Sequence, residues 1–358
     1  MTTLLRAFVV FTSLLCLSAH AELLNDPGGD LKGCEVGQQC TRELPGLICA
    51  DGTPAYYSVT LRKNAQSLAI YIDGGGACWN AETCSNPMFV RNLSRPEKMK
   101  SDWTNGNGLW NAYDKENPLA EDFHVISIPY CTGDAHIGSK TTEYKINGKK
   151  VVLRHYGHRN IQLVLDKAKA LFPDPRKVAL VGISSGGIAA AFNMRRLVAL
   201  YPHSAKYVLS DAGTPFLPQF LKGDKYETAI RVWGAEGNFP MDSGRIKTFG
   251  EAWDFNRKNF PEVRFGFIHS YGDMVMMLFA TALGASQPGN VIRDTVTEAA
   301  VSHMGTSNPA QKVFFFDNLE HTRIHKPLER QFSLGKSLKE WIRQMFNDDP
   351  AWDNVRPE

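Results

Sequence analysis

The six residues "GISSGG", at positions 182–187, limit the possible folds of this chain more than any other feature. They follow the short β-branched run "KVALVG" (177–182), which is typical of a buried strand, and they precede a stretch at roughly 185–199 whose composition favours a helix. A glycine-rich turn between a strand and a helix is the context in which G-x-S-x-G motifs hold a nucleophilic serine on a sharp bend. A plain surface loop accounts less well for the flanking elements.

Two adjacent serines stand in this turn, and the glycine spacing distinguishes them. The positions two residues before and two residues after a nucleophile on such a bend must be very small. For Ser184 they are Gly182 and Gly186, whereas for Ser185 one of them is the branched Ile183. We therefore predict that Ser184 is a nucleophile and that Ser185 supplies a backbone N–H at the start of the helix.

The rest of the chain also alternates between strand-like and helical patterns. Further strands are predicted at residues 55–62, 67–72, 123–130, 206–210, 263–270 and 312–316, and helices at 160–171, 274–284 and 329–346. This order predicts an α/β fold with a mostly parallel sheet flanked by helices. Two long stretches, 85–118 and 215–262, interrupt the alternation, and we interpret them as lid-like insertions.

The first 21 residues have the pattern of a cleavable secretory signal. Arg6 precedes an apolar core, and Ala19 and Ala21 form an A-x-A cleavage site. The apolar run is shorter than a membrane anchor needs, and no later segment is long and apolar enough to span a bilayer. We expect a single domain over residues 22–358, either secreted or periplasmic.

Cysteine usage agrees with export. Six cysteines remain after the predicted signal, all in the first third of the mature chain that begins at residue 22: Cys34, Cys40, Cys49, Cys78, Cys84 and Cys131. An oxidising compartment would pair them, although the sequence leaves their connectivity open. A disulfide between Cys78 and Cys84 would stiffen the loop that they flank.

The charge and the spacing of metal-binding residue types argue against nucleic-acid binding and against a metal site. The formal net charge is +3 and there is no basic block, which argues against nucleic acid as the main ligand. No C-x-x-C pair is present, and His155 and His158 lack a third ligand at zinc spacing. We expect neither a metal nor a cofactor.

A triple glycine follows another buried strand, in "YIDGGGACW" (71–79). Glycines at such a point let the backbone turn its N–H groups inward, although a plain tight turn is the alternative. An oxyanion hole combines an N–H from a loop of this kind with the N–H after the nucleophile. We predict that Gly75 or Gly76 acts together with Ser185.

Four segments together resemble the pectin acetylesterase/Notum family of secreted esterases: "DGGGACWNAETC" (73–84), "IPYCTGDAHIG" (128–138), "GISSGG" (182–187) and "EHTRIHKP" (320–327). The resemblance spans most of the chain after the predicted signal and implies an α/β-hydrolase fold that removes an acyl group from an oxygen. Eukaryotic members typically carry an aromatic residue at the position of Gly76. A tryptophan there is therefore expected to change the volume of the acyl pocket.

Several histidines could serve as the catalytic base. In hydrolases of this kind the base comes last in the chain, after the nucleophile and the acid. His321 lies in a loop after the strand "KVFFF", and the family's His-Thr pair falls on His321 and Thr322. His325 is the alternative base, whereas His203 and His269 fit the pattern less well.

Two aspartates are candidates for the acid. Asp273 follows the strand "VRFGFIHS" and opens a helix, where a carboxylate can orient the histidine. Capping that helix is the structural alternative, and both roles can coexist. Asp211, one strand earlier, is the second candidate, but family members place their acid at a strand end similar to that of Asp273.

Other residues near the predicted site have competing interpretations. Trp79 and Asn80 follow the triple glycine and could contact a sugar, although loop packing explains them as well. Asp134 and His136 could line the cleft, although a turn closed by the Asp134 side chain is equally compatible with the sequence.

Together these features predict a two-step serine esterase. The preferred substrate is an O-acetylated polysaccharide such as pectin. The alternatives are an esterase or lipase for longer acyl chains, and a binding protein on a hydrolase scaffold.

Overall fold

A computed structural model of the chain describes residues 24–26, 28–95, 108–110, 117–120, 122–213, 224–239, 249–298 and 308–357. Within these residues the strands are β1 (Gln39–Ile48), β2 (Pro54–Thr60), β3 (Ser67–Ile72), β4 (Phe123–Ile128), β5 (Lys140–Ile146), β6 (Lys149–His155), β7 (Lys177–Ile183), β8 (Ala205–Asp211), β9 (Arg264–Ser270), β10 (Gln311–Phe316), β11 (Phe332–Ser333) and β12 (Lys336–Ser337). The α-helices of the same residues are α1 (Ala81–Ser85), α2 (Gly157–Leu171), α3 (Ser185–Phe192), α4 (Met194–Leu200), α5 (Lys225–Trp233), α6 (Phe249–Asn259), α7 (Met274–Ala282), α8 (Pro288–Glu298) and α9 (Leu338–Phe346). The predicted signal and parts of both predicted insertions lie outside the described residues.

The described residues form one central sheet of eight strands in the order β1-β2-β4-β3-β7-β8-β9-β10. From β4 to β10 all neighbours in this order are parallel, whereas β1 and β2 pair antiparallel at one edge. This topology confirms the predicted α/β-hydrolase-like fold. In the centre of the sheet, Gly182 of β7 pairs with Ile72 of β3 on one side and with Ser210 of β8 on the other. The carboxyl ends of these three strands therefore lie side by side.

Both faces of the sheet are covered, which explains why its central strands are apolar throughout. In β3, Leu68, Ile70 and Ile72 belong to the core on the side of α2 and α3, while Ala69 and Tyr71 belong to the core on the side of α9. The two sides of a strand alternate, so a strand with helices on both faces has no polar side. The sheet is therefore a rigid layer from which the loops at its carboxyl edge project.

The predicted helix at 329–346 is wrong in its first half. The chain instead forms a 3₁₀ turn at Leu328–Arg330 and the small hairpin β11–β12 before α9 begins. Leu334 and Gly335 both have positive φ, 49° and 73°, as a two-residue type I′ hairpin turn requires. The side chain of Ser337 then caps α9 by accepting the N–H of Glu340.

Two further elements differ from the prediction. The helix predicted at 185–199 is interrupted at Asn193, whose side chain donates to the carbonyl of Ala189 and so competes with the helical pattern. The hairpin β5–β6 was absent from the prediction, although Asn147 and Gly148 at its turn are a strong hairpin signal.

Within the described residues the six cysteines form the disulfides Cys34–Cys40, Cys49–Cys131 and Cys78–Cys84. This confirms that the cysteines pair, and that the short Cys78–Cys84 bridge closes the segment after the triple glycine. No helix in the part of the chain that the structure describes is long and apolar enough to cross a membrane.

Candidate active site

Ser184 lies on a strained bend between β7 and α3. Its backbone has φ 51° and ψ −123°, a region that residues with side chains rarely occupy. Such conformations cost on the order of 1–3 kcal/mol and persist where the surrounding structure enforces them. The bend carries the Ser184 side chain to the carboxyl edge of the sheet, where the residue is largely buried.

The surrounding backbone explains the glycines of the motif. A Cβ atom on Gly182 would lie 2.0 Å from the carbonyl oxygen of Gly186, and one on Gly186 would lie 2.1 Å from that of Ile72. Both separations are far below van der Waals contact, so any side chain would force the bend open. The small residues predicted on either side of Ser184 are therefore a steric requirement of this turn.

The loop after β10 brings His321 to Asp273, at the end of β9. The Nδ1 atom of His321 lies 2.7 Å from Oδ2 of Asp273. The other predicted base, His325, contacts the hydroxyl of Thr322 instead, at 3.1 Å. His269 lies in β9 with its Nδ1 3.9 Å from the same Asp273 oxygen, and His203 is exposed in a turn.

Asp273 is held as a charged hydrogen-bond acceptor. Its Oδ1 atom accepts the N–H groups of Val275 and Met276 and so caps α7, which shows that capping and histidine contact coexist. Burial alone would raise the pKa of this carboxyl, but the hydrogen bond from His321 and electrostatic interactions with His269 and His321 bring its pKa below the usual value. The carboxylate is therefore available to orient His321.

Asp211, the alternative acid, has a different set of contacts. Its Oδ2 atom accepts the N–H groups of Arg323, at 2.5 Å, and Ile324, at 2.9 Å. These are backbone groups of the loop that carries His321. Burial raises the pKa of Asp211 to about 6, although the two hydrogen bonds and the nearby positive charges oppose the increase. Asp211 thus holds the histidine loop rather than the imidazole.

Arg323 is a buried anchor of the same loop that sequence analysis missed. Its guanidinium packs over the ring of Phe316, 4.1 Å from the centroid. It donates to Oγ of Ser270 at 2.9 Å and to Oε1 of Gln331 at 3.0 Å, and it forms an ion pair with Glu320. The sequence around Arg323 does not indicate that it is buried, because its partners Ser270 and Gln331 belong to other elements of the fold.

The triple glycine runs alongside the Ser184 bend. Gly75 donates its N–H to the side-chain oxygen of Ser185 at 3.1 Å, and its carbonyl accepts the N–H of Arg91. Ala77 donates to the carbonyl of Phe89 at 2.8 Å. The Gly75 N–H therefore already has an acceptor. The two hydrogen bonds to residues 89–91 use the carbonyl of Gly75 and the N–H of Ala77, and neither uses the N–H of Gly76.

An aromatic residue at position 76 would meet a steric obstacle in this chain. Gly76 has φ 84°, and a Cβ atom on it would lie 1.9 Å from the carbonyl oxygen of Phe89. A tryptophan here would have to displace the backbone of the neighbouring segment. A change in pocket volume stays a prediction, to which the structure adds a shift of this backbone.

An apolar cavity of about 40 Å³ lies beside Ser184. The Ser184 bend and the triple-glycine loop line one part of it, and α5 and α7 line much of the rest, through residues that include Trp233, Met276 and Phe279. The indole N–H of Trp233 donates to the carbonyl of Cys78 at 2.7 Å, which ties α5 to the loop. Apart from the two serines of the bend, its lining consists mainly of apolar and aromatic side chains.

Trp79 and Asn80, predicted as possible substrate contacts, have separate positions. Trp79 is buried and lines the cavity, packed against Phe89 and Phe279. Asn80 is exposed at the start of α1, where its side-chain oxygen accepts the N–H of Thr83 at 2.8 Å. Only Trp79 of these two reaches the cavity.

Asp134 is fully buried, and its contacts are those of the turn-closing alternative. Its carboxylate accepts hydrogen bonds from the Thr132 hydroxyl and from the N–H groups of His136, Gly138 and Gly157. His136 contacts the carbonyl of Asp73 at 2.9 Å, and burial lowers its pKa to about 4. Both residues stabilise the turn beneath the triple-glycine loop.

His155, one of the two histidines considered as metal ligands, is structural in its contacts. His155 lies between the hydroxyl of Tyr144, at 2.7 Å, and the carbonyl of Thr132, at 3.0 Å. Within the described ranges, no group of three or more His, Cys, Asp or Glu side chains is arranged to hold a metal ion.

Comparison with known proteins identifies the family of this chain. The pectinacetylesterase family model matches residues 40–230, more than half of the chain, including the triple-glycine loop and the Ser184 bend. The chain belongs to the pectinacetylesterase family. Membership confirms the resemblance seen in the sequence and accounts for the α/β-hydrolase-like sheet.

This member of the pectinacetylesterase family is also similar to proteins named palmitoleoyl-protein carboxylesterases. It is 27% identical over 245 residues to the palmitoleoyl-protein carboxylesterase NOTUM of Mus musculus, covering 61% of this chain and 46% of the mouse protein. It is 31% identical over 154 residues to the protein of the same name from Schmidtea mediterranea, covering 42% and 28%. An inactive palmitoleoyl-protein carboxylesterase notum1b of Danio rerio is 29% identical over 101 residues, covering 26% and 67%. The chain spans about half the length of the mouse relative that it matches.

Proposed function

We propose that this protein is an exported serine esterase that removes short O-acyl groups, with O-acetyl preferred, from a polysaccharide. The observation that carries this proposal is the small apolar cavity beside Ser184. Such a cavity suits the methyl end of an acetyl group. The name of the family supports a polysaccharide as the alcohol, and the signal-like sequence together with three disulfides supports export.

The reaction runs in two steps on this chain's own residues. His321 takes the proton of the Ser184 hydroxyl as the serine oxygen attacks the acyl carbonyl, while Asp273 keeps the imidazole in the required tautomer. The carbon–oxygen bond of the ester breaks, and the departing alcohol takes the proton from His321. Water then attacks the acyl-enzyme, His321 removes its proton, and Ser184 leaves with that proton as the carboxylic acid forms.

Charge that develops on the carbonyl oxygen needs backbone donors. We assign this role to the N–H groups of Ser185 and Gly76. The contact between Gly75 and the Ser185 side chain supports this choice, because the Gly75 N–H is already bonded. The disulfide Cys78–Cys84 and the bridge to residues 89–91 hold the loop in advance of substrate binding.

Hydrolysis of longer acyl chains is the second candidate. Several relatives are named palmitoleoyl-protein carboxylesterases, and such an enzyme needs a deep apolar pocket. The cavity of this chain is apolar but small, about 40 Å³, which favours acetyl. A non-catalytic binding role is the third candidate, since one relative is named inactive.

A chain-length series separates these candidates. The chain without residues 1–21 is assayed on p-nitrophenyl esters from acetate to palmitate, with Ser184→Ala as the matched control. We expect kcat/KM to be highest for acetate and to fall steeply beyond butyrate. A maximum at palmitate would favour the longer-chain function.

Two further measurements complete the test. A fluorophosphonate probe should label the unaltered protein but not Ser184→Ala, and failure to label a folded protein would favour the non-catalytic role. Acetate release should exceed that of the control on acetylated pectin or on another acetylated polysaccharide. Activity on small esters with no release from any acetylated polysaccharide would refute the polysaccharide assignment.

A further inference from the structure

A second, larger cavity lies behind the one that contains Ser184. It is a groove of about 390 Å³ between α1, the start of α5 and the outer side of α7. Its lining is mixed: four residues, Trp79, Phe89, Leu278 and Ala282, are apolar, whereas the other seven are polar or charged, with Glu82 and Lys225 exposed. The groove is roughly ten times larger than the cavity beside Ser184.

Three aromatic side chains separate the two spaces. Phe279 lines the inner cavity, Phe89 lines the groove, and Trp79 lines both. The ring of Phe89 meets Phe279 edge-on, with centroids 5.6 Å apart, and meets Trp79 edge-on at 5.9 Å. Trp79 and Phe279 are 6.3 Å apart. We call these three residues the aromatic wall.

The wall is held in place by the same elements that position the proposed catalytic groups. Phe279 belongs to α7, which is capped by Asp273. The backbone carbonyl of Phe89 accepts the N–H of Ala77, which follows the triple glycine. Edge-to-face aromatic packing favours one arrangement of the rings, so the wall is a stable barrier.

From this arrangement we infer that the aromatic wall sets the acyl-chain length, and that Phe279 is its determining residue. The inference rests on the proposed esterase function. An acyl group attached to Ser184 extends into the inner cavity. A short acyl group fits there, whereas a longer one meets the Phe279 ring. Without that ring the inner cavity joins the groove, where the apolar side chains of Leu278 and Ala282 contact the distal carbons of a longer chain.

The test compares Phe279→Ala with the unaltered protein on p-nitrophenyl acetate, butyrate, octanoate and decanoate. Met274→Ala is the matched control, because Met274 is on the same helix with 59% of its surface exposed and outside both cavities. We expect the ratio of kcat/KM for octanoate to that for acetate to rise at least about tenfold in Phe279→Ala, and to stay unchanged in Met274→Ala. An unchanged ratio in folded Phe279→Ala overturns the inference.

Two additions separate this inference from the proposed function. If the unaltered protein hydrolyses none of the esters, the esterase proposal fails, and the wall is then tested by calorimetric binding of decanoate. Phe279→Ala should bind decanoate and the unaltered protein should not; equal binding overturns the inference. If Phe279→Ala does not fold, Phe89→Ala, which opens the wall from the half-buried groove side, replaces it with the same expected outcomes.

Discussion

His321 and Asp273 are joined through a single 2.7 Å contact between Nδ1 and Oδ2, while the other oxygen of Asp273 caps α7. The histidine is therefore oriented by a carboxylate that is itself held by two peptide N–H groups. Because the cap is formed by the first turn of a helix, the carboxylate cannot rotate without giving up those bonds. This couples the position of the imidazole to the rigid end of β9.

Replacing Asp273 with asparagine should cripple the proposed reaction while leaving the cap largely intact. The amide oxygen can still accept the helix N–H groups, but an amide N–H facing Nδ1 favours the wrong tautomer of His321. We expect kcat to fall by about 10⁴. The measurement is kcat on p-nitrophenyl acetate, with circular dichroism to confirm folding.

Asp211→Asn is the control for that substitution. Its oxygen can still accept the N–H groups of Arg323 and Ile324, so we expect a much smaller loss of kcat than in Asp273→Asn. If Asp211→Asn were the crippling change and Asp273→Asn the mild one, the acid would be Asp211 and the proposed triad would be wrong.

Ser184→Ala should abolish ester hydrolysis. Removal of a nucleophile that acts in concert with a base commonly lowers kcat by about 10⁴–10⁶. Steady-state rates on p-nitrophenyl acetate, corrected for spontaneous hydrolysis, measure the loss. Retention of more than a few per cent of the rate in a folded variant would contradict the nucleophile assignment.

Ser185→Ala should keep substantial activity, although the Ser185 side chain has a structural role. The hydroxyl accepts the buried N–H of Gly75, so its removal leaves that donor without a partner and costs about 1–3 kcal/mol of unfolding free energy. The N–H of Ser185 itself is unaffected. We expect a lower midpoint of chemical unfolding with less than about a hundredfold loss in kcat. A loss equal to that of Ser184→Ala would move the nucleophile to Ser185.

The six paired cysteines predict that a chain lacking residues 1–21 has no free thiol. Alkylation under denaturing, non-reducing conditions should therefore leave its mass unchanged, whereas prior reduction should add six alkyl groups, one for each cysteine of the three bridges. Two or more modified thiols without reduction would show that at least one of these pairs does not form.

The central strands and the Ser184 bend were predictable because their causes are local. The parallel strands are short β-branched or aromatic runs buried on both faces, and the predicted bounds of β3 agree with the structure. The glycine spacing around Ser184 follows from the close approach of the backbones at one turn. Such signals are present in a few consecutive residues.

The remaining features depend on contacts between distant segments. The helix that carries Phe279 is apolar on nearly every side, so periodicity does not show which residues face a cavity. The role of Asp211 arises because β8 ends beside a loop 112 residues later in the chain. Burial of Arg323 likewise depends on Ser270 and Gln331 arriving from separate elements.

The raised pKa of Asp211 predicts an unusual dependence of stability on pH. Burial raises its pKa to about 6 in the folded chain, against about 3.9 in an unfolded one. Between these values the folded state binds more protons than the unfolded state, so this group's contribution is fully present below about pH 4 and is lost as the pH rises through about 6. Asp273, with its lowered pKa, contributes in the opposite direction, because its stabilisation is lost as the pH falls.

Asp211→Asn isolates this contribution, because an amide does not titrate and its oxygen can still accept the two loop N–H groups. The free energy of unfolding of the variant relative to the unaltered protein should rise between pH 4 and pH 6.5, by on the order of 1–3 kcal/mol, and then remain level. Urea unfolding at several pH values measures the difference, and Asp254→Asn, at an exposed ion pair with Arg257, is the control. A constant difference across this range would show that Asp211 is already ionised at pH 4, and that the two N–H groups of the histidine loop outweigh the effect of burial.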